Sequence, residues 1–296
     1  MKNEDKISMY NFSNEIIRVK LNTTATHRRF VMADRKNIHF FYKKDSQFEE
    51  QILTLKNLAI DNGFTLVENP DDANIVASIG GDGTFLQAVR QTGFRDNALY
   101  VGVSTGQLGF YCDFDIEDLA GMIDAMMNEQ VEVRRYPTIL VSMENDASFH
   151  CLNECSIRSS IIKTLSMDLY IDDLFFERFK GDGMIISTPT GSTAYNKSLN
   201  GAIVDPKLPC MQISEVASIN NNHYRTLGTS FILNESRALE IQIVNEGNNF
   251  PIIGMDNEAL SIREPGAIRI QLSDKRIKTV KLKDNSFWHK VKRSFL

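Results

Sequence analysis

Apolar and polar positions fall into a regular order only from about Asn37 onward. Ile38, Phe40 and Phe41 form a short apolar run, and Phe48, Ile52, Leu55 and Ala59 then recur at helical spacing until Gly63. Ser46, followed three residues later by Glu49, makes a capping box that marks the start of this helix. A strand over Phe64–Val67, a turn at Asn69–Pro70–Asp71 and a second apolar run, Ile75–Ile79, come next. That run passes through Gly80–Gly81–Asp82–Gly83–Thr84 into a helical pattern carried by Phe85, Leu86, Ala88 and Val89. A strand at Leu99–Val103, a glycine-bearing loop and a helix over Asp115–Asn128 complete this half. Strands alternating with helices of this length predict βαβ units and a parallel sheet.

After about Glu132 the period shortens to two. Alternating runs occur at Thr138–Met143, Ser166–Ile171, Leu174–Phe179, Met184–Ser187, Ser230–Leu233, Ala238–Val244 and Ile268–Leu272. Asp172–Asp173 is placed for a hairpin turn, and Gly191–Asn200 reads as a short helix. This half predicts an antiparallel, sandwich-like all-β domain. The basic tail after Lys275 is interleaved with Ile277, Val280, Leu282, Phe287, Trp288 and Phe295, which predicts that it packs rather than floats.

Composition narrows the function classes. The 296 residues carry 33 Lys plus Arg against 38 Asp plus Glu, a net charge of −5 that leaves no electrostatic footprint for nucleic acid. No stretch approaches the roughly 18 apolar residues that span a bilayer, and charges interrupt the first 20 residues throughout. A cytoplasmic protein without a membrane partner is the expectation. Cys112, Cys151, Cys155 and Cys210 make no C-x-x-C pair and read as small buried hydrophobes. The five histidines are scattered, so no metal cage is readable.

Three segments carry candidate chemistry. Gly80–Gly81–Asp82–Gly83–Thr84 sits between a strand and a helix, where backbone N–H groups converge and favour phosphate. Asp82 does not suit a phosphate cradle, because a carboxylate there repels its ligand. It holds a bridging cation, takes a proton from an attacking hydroxyl, or merely caps the helix. Asp182–Gly183, then Ser187 through Asn196, groups small hydroxyls with Tyr195, a surface for ribose and purine or simply a Ser/Thr-rich turn with Tyr195 in the core. Asn153–Glu154 is able to grip two ribose hydroxyls, though such pairs are also common on surfaces. Neither a G-x-x-x-x-G-K-[ST] P-loop nor a G-x-G-x-x-G fingerprint is present.

Taken in order, Gly80–Thr84, Asn153–Glu154 and Thr188-Pro-Thr-Gly-Ser-Thr-Ala-Tyr-Asn196 resemble the NAD kinase family. Ser104–Phe110 and Ala217–Asn221 resemble it too. The first motif is shared with diacylglycerol and sphingosine kinases and marks only the superfamily; the Thr-Pro-Thr-Gly-Ser-Thr-Ala-Tyr stretch is far more specific. The resemblance runs from about Asn37 to the C-terminus and implies phosphorylation of the adenosine ribose 2′-hydroxyl of NAD, using ATP with Mg²⁺ or polyphosphate. It implies Asp82 as the proton acceptor, with Gly80, Gly81, Gly83 and Thr84 as the phosphate-donor loop. Asn153 and Glu154 would contact the nicotinamide-side ribose and amide, and Lys180 and Asp182 the dinucleotide. Thr190, Thr193, Ala194, Tyr195, Asn196, Lys197 and Ser198 would line the adenine side, and Ala217 would offer a backbone contact. One departure stands out: many members show Asp-Gly-Gln where this chain has Asp256–Asn257–Glu258, so Asn257 adds a side chain at the pocket.

The implied organisation is an extension at 1–34, an α/β phosphate-donor domain at 35–132 completed by 273–296, a β-rich NAD-binding domain at 133–272, and a homo-oligomer, dimer or tetramer. A lipid kinase of the same superfamily and a non-catalytic dinucleotide sensor are the competing readings. Residues 1–31 show no sustained apolar period. A dispensable extension is the expectation, so deleting it should leave kcat, the KM for NAD and the size-exclusion volume unchanged. The alternative is a regulatory or oligomer-contacting arm with Phe12, Ile16, Ile17, Val19 and Leu21 as its apolar face.

Overall fold

Ile75–Ile79 forms a strand with every residue buried, and it lies at the middle of a parallel group. In this computed structural model, Thr65–Leu66, Asn37–Tyr42, Ile75–Ile79 and Leu99–Ser104 lie side by side in that spatial order, all parallel. Helices Glu49–Asp61, Asp82–Gln91 and Leu119–Met127 belong to this half. The structure describes residues 35–296 apart from 45, 46, 107, 108, 145, 247, 249, 250 and 262–265. Ser46 of the expected capping box, Gln107 and Leu108 of the loop before Phe110, and the extension at 1–34 lie outside the described residues. Phe48, not Ser46, precedes the helix, and Glu49 is its first residue rather than its third.

The helix expected from Asp115 begins instead at Leu119, with Asp118 accepting a hydrogen bond from the Gly121 amide at 2.9 Å. Its predicted first residue, Asp115, pairs with the sheet instead, following Phe114 beside Val103–Ser104, and residues 116–118 turn back toward the helix. Sheet pairing outcompetes a helical turn there because Phe114 becomes buried.

The parallel strands do not end the sheet. The long strand Ala267–Leu282 lies beside Leu99–Ser104, parallel through Lys278–Val280, and its N-terminal half pairs antiparallel with Ala238–Val244. Leu165–Ile171 and Leu174–Gly181 continue outward as the expected hairpin, with Asp172 at φ 53° in the turn. One sheet thus runs from the α/β half into the β half. The expected boundaries at 132/133 and 272/273 both fall inside strands, Val131–Met143 and Ala267–Leu282, and these two pair with each other. Their register shifts between Leu272 and Arg276, a bulge where the long strand passes from one half to the other.

A second, fully antiparallel sheet has the order Phe231–Asn234, Cys210–Val216, Gly183–Ser187, Glu154–Ser159, Pro251–Met255, Glu258–Ser261. The core between the two sheets joins Val141, Leu169, Phe179, Leu239 and Ile270 from the first to Cys155, Ile157, Ile186, Met211 and Ile253 from the second. This is the expected sandwich. Glu258–Ser261 escaped the sequence pattern because all four residues are exposed on an edge strand. Cys210–Val216 was passed over although Met211, Gln212, Ile213 and Ser214 alternate; its first five residues, polar ones included, are buried. All four cysteines are free and buried, as their pattern suggested.

The tail packs as predicted. After the long strand, Phe287–Phe295 forms a helix whose start is capped by the Ser286 hydroxyl, accepting from His289 N–H at 3.2 Å. Among the described residues, no helix is long and apolar enough to cross a membrane.

Candidate active site

Asp82 is the first residue of helix Asp82–Gln91, immediately after the fully buried strand Ile75–Ile79. Strand, turn and helix follow directly from the sequence: five apolar residues, two glycines, then Phe85, Leu86, Ala88 and Val89 on the buried side. The amides of Gly81, Asp82 and Gly83 precede the first intrahelical bonds, which leaves them as donors at the helix start, where a helix favours negative charge. Gly81 and Gly83 have open space where a Cβ would lie, while Gly80 is tied to the sheet through its N–H to the Val103 carbonyl at 2.9 Å. Thr84 is buried beneath them.

The Asp82 carboxylate turns across to another loop. Its Oδ2 accepts the Phe110 N–H at 2.7 Å and its Oδ1 the Tyr111 N–H at 2.9 Å. Gly109 makes this possible, since a Cβ there would come within 2.3 Å of Asp82 Oδ2. The carboxylate is thereby fixed in orientation at the mouth of the glycine loop.

Tyr111 connects this loop to the β half. Its ring stacks on Phe85, centroids 4.9 Å apart, and its hydroxyl donates to Asn153 Oδ1 at 2.5 Å. Asn153 and Glu154 sit at the start of strand Glu154–Ser159 and are held from behind by Asp256. The Asp256 carboxylate accepts the N–H groups of Leu152 at 3.0 Å, Asn153 at 2.6 Å and Glu154 at 3.2 Å. Burial pushes the Asp256 carboxyl up, and these N–H groups together with Arg90, 3.8 Å away, oppose that push. Asp256 occupies the left-handed region, φ 51°, in a two-residue hairpin turn with Asn257. That turn carries the Asn257 amide to within 3.5 Å of the Gly83 carbonyl, so the departure from the family pattern adds a contact to the glycine loop.

Glu154 is buried, and its Oε2 has no hydrogen-bond partner within the protein. Burial first, and the charge of Asp256 second, push its carboxyl up to about 8. Such a group keeps a proton when folded that the unfolded chain releases above pH 4.5 or so, so stability falls as pH rises from there to about 8. Glu154→Gln removes that penalty. The ligand-free variant should melt roughly 5 °C above the parent at pH 8 and close to it at pH 5, by differential scanning calorimetry.

The hydroxyl-rich turn is clamped to the same spot. Thr188 and Thr190 both donate through Oγ1 to the Leu152 carbonyl, at 2.6 and 3.1 Å, and Thr188 N–H donates to the Asn153 carbonyl at 2.8 Å. Gly191 lies so close that an added Cβ would be 2.0 Å from the Asn153 carbonyl oxygen. The turn is a 3₁₀ segment, Thr190–Thr193, followed by a short helix, Tyr195–Ser198, in place of one helix over Gly191–Asn200. Thr193 Oγ1 donates back to the Thr190 carbonyl at 3.2 Å, and Ala194 caps the helix that starts at Tyr195.

Asn196 is wholly buried. Its amide donates to the Ser192 and Ala202 carbonyls and accepts from the Ser214 hydroxyl, so it holds the turn from within. Tyr195 lies partly exposed with the Arg158 guanidinium 5.7 Å from its ring, while Lys197 and Ser198 face solvent, Lys197 against the Phe295 ring at 4.4 Å.

Two groups of expected residues are therefore separate. Asp82, Gly83, Asn153, Glu154, Thr190 and Asn257 converge, whereas Lys180, Asp182 and Ala217 gather at the other end of strand Gly183–Ser187. Within that strand Ser187 pairs with Glu154 and Gly183 with Arg158, four residues or about 13 Å apart. Lys180 donates to Glu246 at 3.0 Å and to the Tyr224 hydroxyl at 3.1 Å. Asp182 and Ala217 are exposed beside it. Sequence reasoning passed over Tyr111, Arg90 and the anchoring role of Asp256. Of these only Asp256 left a signal, its place before Asn257 in the late β half.

Matches to known proteins agree with this architecture. Residues 1–131 match the family model described as ATP-NAD kinase N-terminal domain, and residues 152–282 match ATP-NAD kinase C-terminal domain. The first match takes in the opening 34 residues, which the sequence pattern had left outside the resemblance. The chain is 62% identical over 263 residues to NAD kinase 2 of Bacillus subtilis, covering 88% of this chain and 98% of that protein. It is 56% identical over 265 residues to NAD kinase 2 of Halalkalibacterium halodurans, covering 90% and 100%. In fold it is similar to yeast NADH kinase complexed with NADH, with TM-score 0.73, 20% identity, and 88% and 87% of the two chains covered. It is likewise similar to an NAD kinase from Archaeoglobus fulgidus in complex with ATP, with TM-score 0.67, 24% identity, and 86% and 98% covered. The chain belongs to the NAD kinase family of phosphotransferases.

Proposed function

We propose that this chain transfers the γ-phosphoryl group of ATP to the 2′-hydroxyl of the adenosine ribose of NAD, giving NADP and ADP, with Asp82 as the general base. The observation that carries this reading is the Asp82 carboxylate, held by two amides of a neighbouring loop beside the open amides of Gly81 and Gly83. A carboxylate that only capped its own helix would turn to the amides of its first turn instead. In the reaction Asp82 takes the proton of the 2′-hydroxyl, and the hydroxyl oxygen bonds to the γ-phosphorus. The bond from that phosphorus to the β,γ-bridging oxygen breaks, leaving ADP. Gly80, Gly81, Gly83 and Thr84 hold the donor phosphates at the helix start.

Asn153 and Glu154 bind the nicotinamide-side ribose and amide; a carboxyl that keeps its proton, as Glu154 does to about pH 8, donates one hydrogen bond and accepts another. Thr190, Thr193, Ala194 and Tyr195 line the adenine side, and Asn257 closes the edge next to Gly83. In this reading Mg²⁺ would come with the phosphates of the donor, where its charge would offset that of the triphosphate. Lys180, Asp182 and Ala217, remote from Asp82 within one chain, belong to this reading as dinucleotide contacts within a homo-oligomer.

Purified protein given NAD, ATP and Mg²⁺ is expected to form NADP, measured with an NADP-specific dehydrogenase. NAD binding without turnover would favour the dinucleotide sensor, and phosphorylation of diacylglycerol the lipid kinase. Replacing ATP by polyphosphate, and NAD by NADH, in the same assay defines the donor and acceptor range. Light scattering gives the assembly.

A further inference from the structure

The C-terminal tail brings two lysines into the protein interior. Lys281, near the end of the long strand, has a fully buried side chain, and Lys290, in the final helix, is 2% exposed. Both ammonium groups meet Asp113, Lys281 at 3.4 Å and Lys290 in direct hydrogen-bond contact. Asp113 Oδ2 also accepts the Leu282 N–H at 2.9 Å. Burial alone would raise the Asp113 carboxyl, but Lys281 and Lys290 outweigh it and hold it below its ordinary range. Two cations against one anion leave this buried cluster with a net positive charge.

The surplus positive charge meets the successive carbonyls of Phe110, Tyr111 and Cys112, and both lysines share that of Phe110. Lys290 Nζ donates to the Phe110 carbonyl at 2.7 Å and Lys281 Nζ to the same oxygen at 3.2 Å; Lys281 also donates to the Tyr111 carbonyl. The Phe110 carbonyl and the Tyr111 N–H belong to one amide, and that N–H is the donor to Asp82 Oδ1. The Phe110 ring lies beside both Phe287 and Phe295 of the final helix, at 5.7 and 5.9 Å. The helix therefore grips the side chain of the residue whose carbonyl its lysine holds.

We propose that Lys290, assisted by Lys281 and Asp113, is a positioning residue for Asp82: its ammonium polarises and locks the Phe110–Tyr111 peptide, whose N–H holds the carboxylate in its reactive orientation. A hydrogen bond accepted at a carbonyl strengthens the N–H of the same amide as a donor, and more so in a dry interior. The inference rests on the reading of Asp82 as the base. It makes the C-terminal helix, which lies far along the chain from the glycine loop, part of the machinery for the chemical step.

The test compares Lys290→Met, Lys290→Gln, Lys290→Arg and Asp82→Asn, with the Lys290→Met/Asp82→Asn double variant. Assays run at pH 7, below the value of about 8 to which burial and the charge of Lys281 push Lys290. Lys290→Met should lower kcat about tenfold while the KM for NAD stays within about twofold, since removing a donor directly on a reacting centre costs more. Lys290→Gln, which keeps a donor without the charge, should fall with it, and Lys290→Arg should recover most of the rate. In the Asp82→Asn background, Lys290→Met should change kcat by less than about twofold, because residues acting as a unit are not additive. Normal kcat in folded Lys290→Met, a raised KM in place of a lowered kcat, or an undiminished loss in the Asp82→Asn background would overturn the proposal. Failure of both neutral variants to melt cooperatively would also overturn it, by making Lys290 a structural residue. Normal turnover in Asp82→Asn would instead remove the base assignment and this inference together.

Discussion

Asp82→Asn is expected to lower kcat by about 10²–10⁴, the usual contribution of a general base, while NAD binding weakens far less. The substitution keeps the shape of the side chain but removes one of the two oxygens. Asp82 now receives an N–H from Phe110 on one oxygen and from Tyr111 on the other. In the asparagine variant only one of these can be accepted, and the amide NH₂ opposes the second donor. The variant therefore loses the base and part of the loop's order together, and the two effects separate by measurement. Loss of the base appears in kcat under saturating NAD and ATP. Loss of order appears in protection of the Phe110 and Tyr111 amides, read by hydrogen exchange. A variant with near-normal turnover would return Asp82 to a structural role.

Asp256→Ala should be the most damaging change outside the glycine loop, and for a different reason. It leaves the N–H groups of Leu152, Asn153 and Glu154 without their shared acceptor and Arg90 without one of its anions. Hydrogen bonds to a buried charge contribute about 1.5–3 kcal/mol each, but three on one carboxylate are not additive. One term runs the other way, because the Asp256 charge repels Glu154 and its removal relieves that repulsion. Arg90 also keeps Glu258, at 2.8 Å. A net loss of about 2–4 kcal/mol is the expected balance, a fall in melting temperature of roughly 5–10 °C. Because Asn153 and Glu154 lose their support, the KM for NAD should rise about tenfold or more, with kcat at saturation less affected. A variant with an unchanged KM for NAD would show that this backbone keeps its place without Asp256.

Much of the molecule was legible in local pattern. Strand Ile75–Ile79, the helix after it and the hairpin at Asp172–Asp173 follow from apolar periodicity and turn chemistry, which act over a few residues. The order of the glycine loop, Asn153–Glu154 and the Thr188–Asn196 stretch was enough to suggest the family, because each motif is contiguous. Where an element was misjudged, a distant partner had changed the balance. Asp115 left the start of a helix for a strand neighbour, and Glu258–Ser261 became an edge strand with no buried face to show.

By itself the sequence determined the contiguous pieces: strand Ile75–Ile79, the glycine turn and helix after it, and the hairpin at Asp172–Asp173. Tertiary structure alone decided how the charges are used. Asp82 finds its amides 28 and 29 residues away, Asp256 supports a backbone 102 to 104 residues earlier, and Lys290 reaches Asp113 across 177. Contacts of that separation leave no period in the chain, because a buried charge is stabilised by whichever donors the fold brings to it. In the sequence Asp256 stood next to an unusual asparagine and Lys290 in a basic tail; only the folded sheet turns one into an anchor and the other into an interior cation.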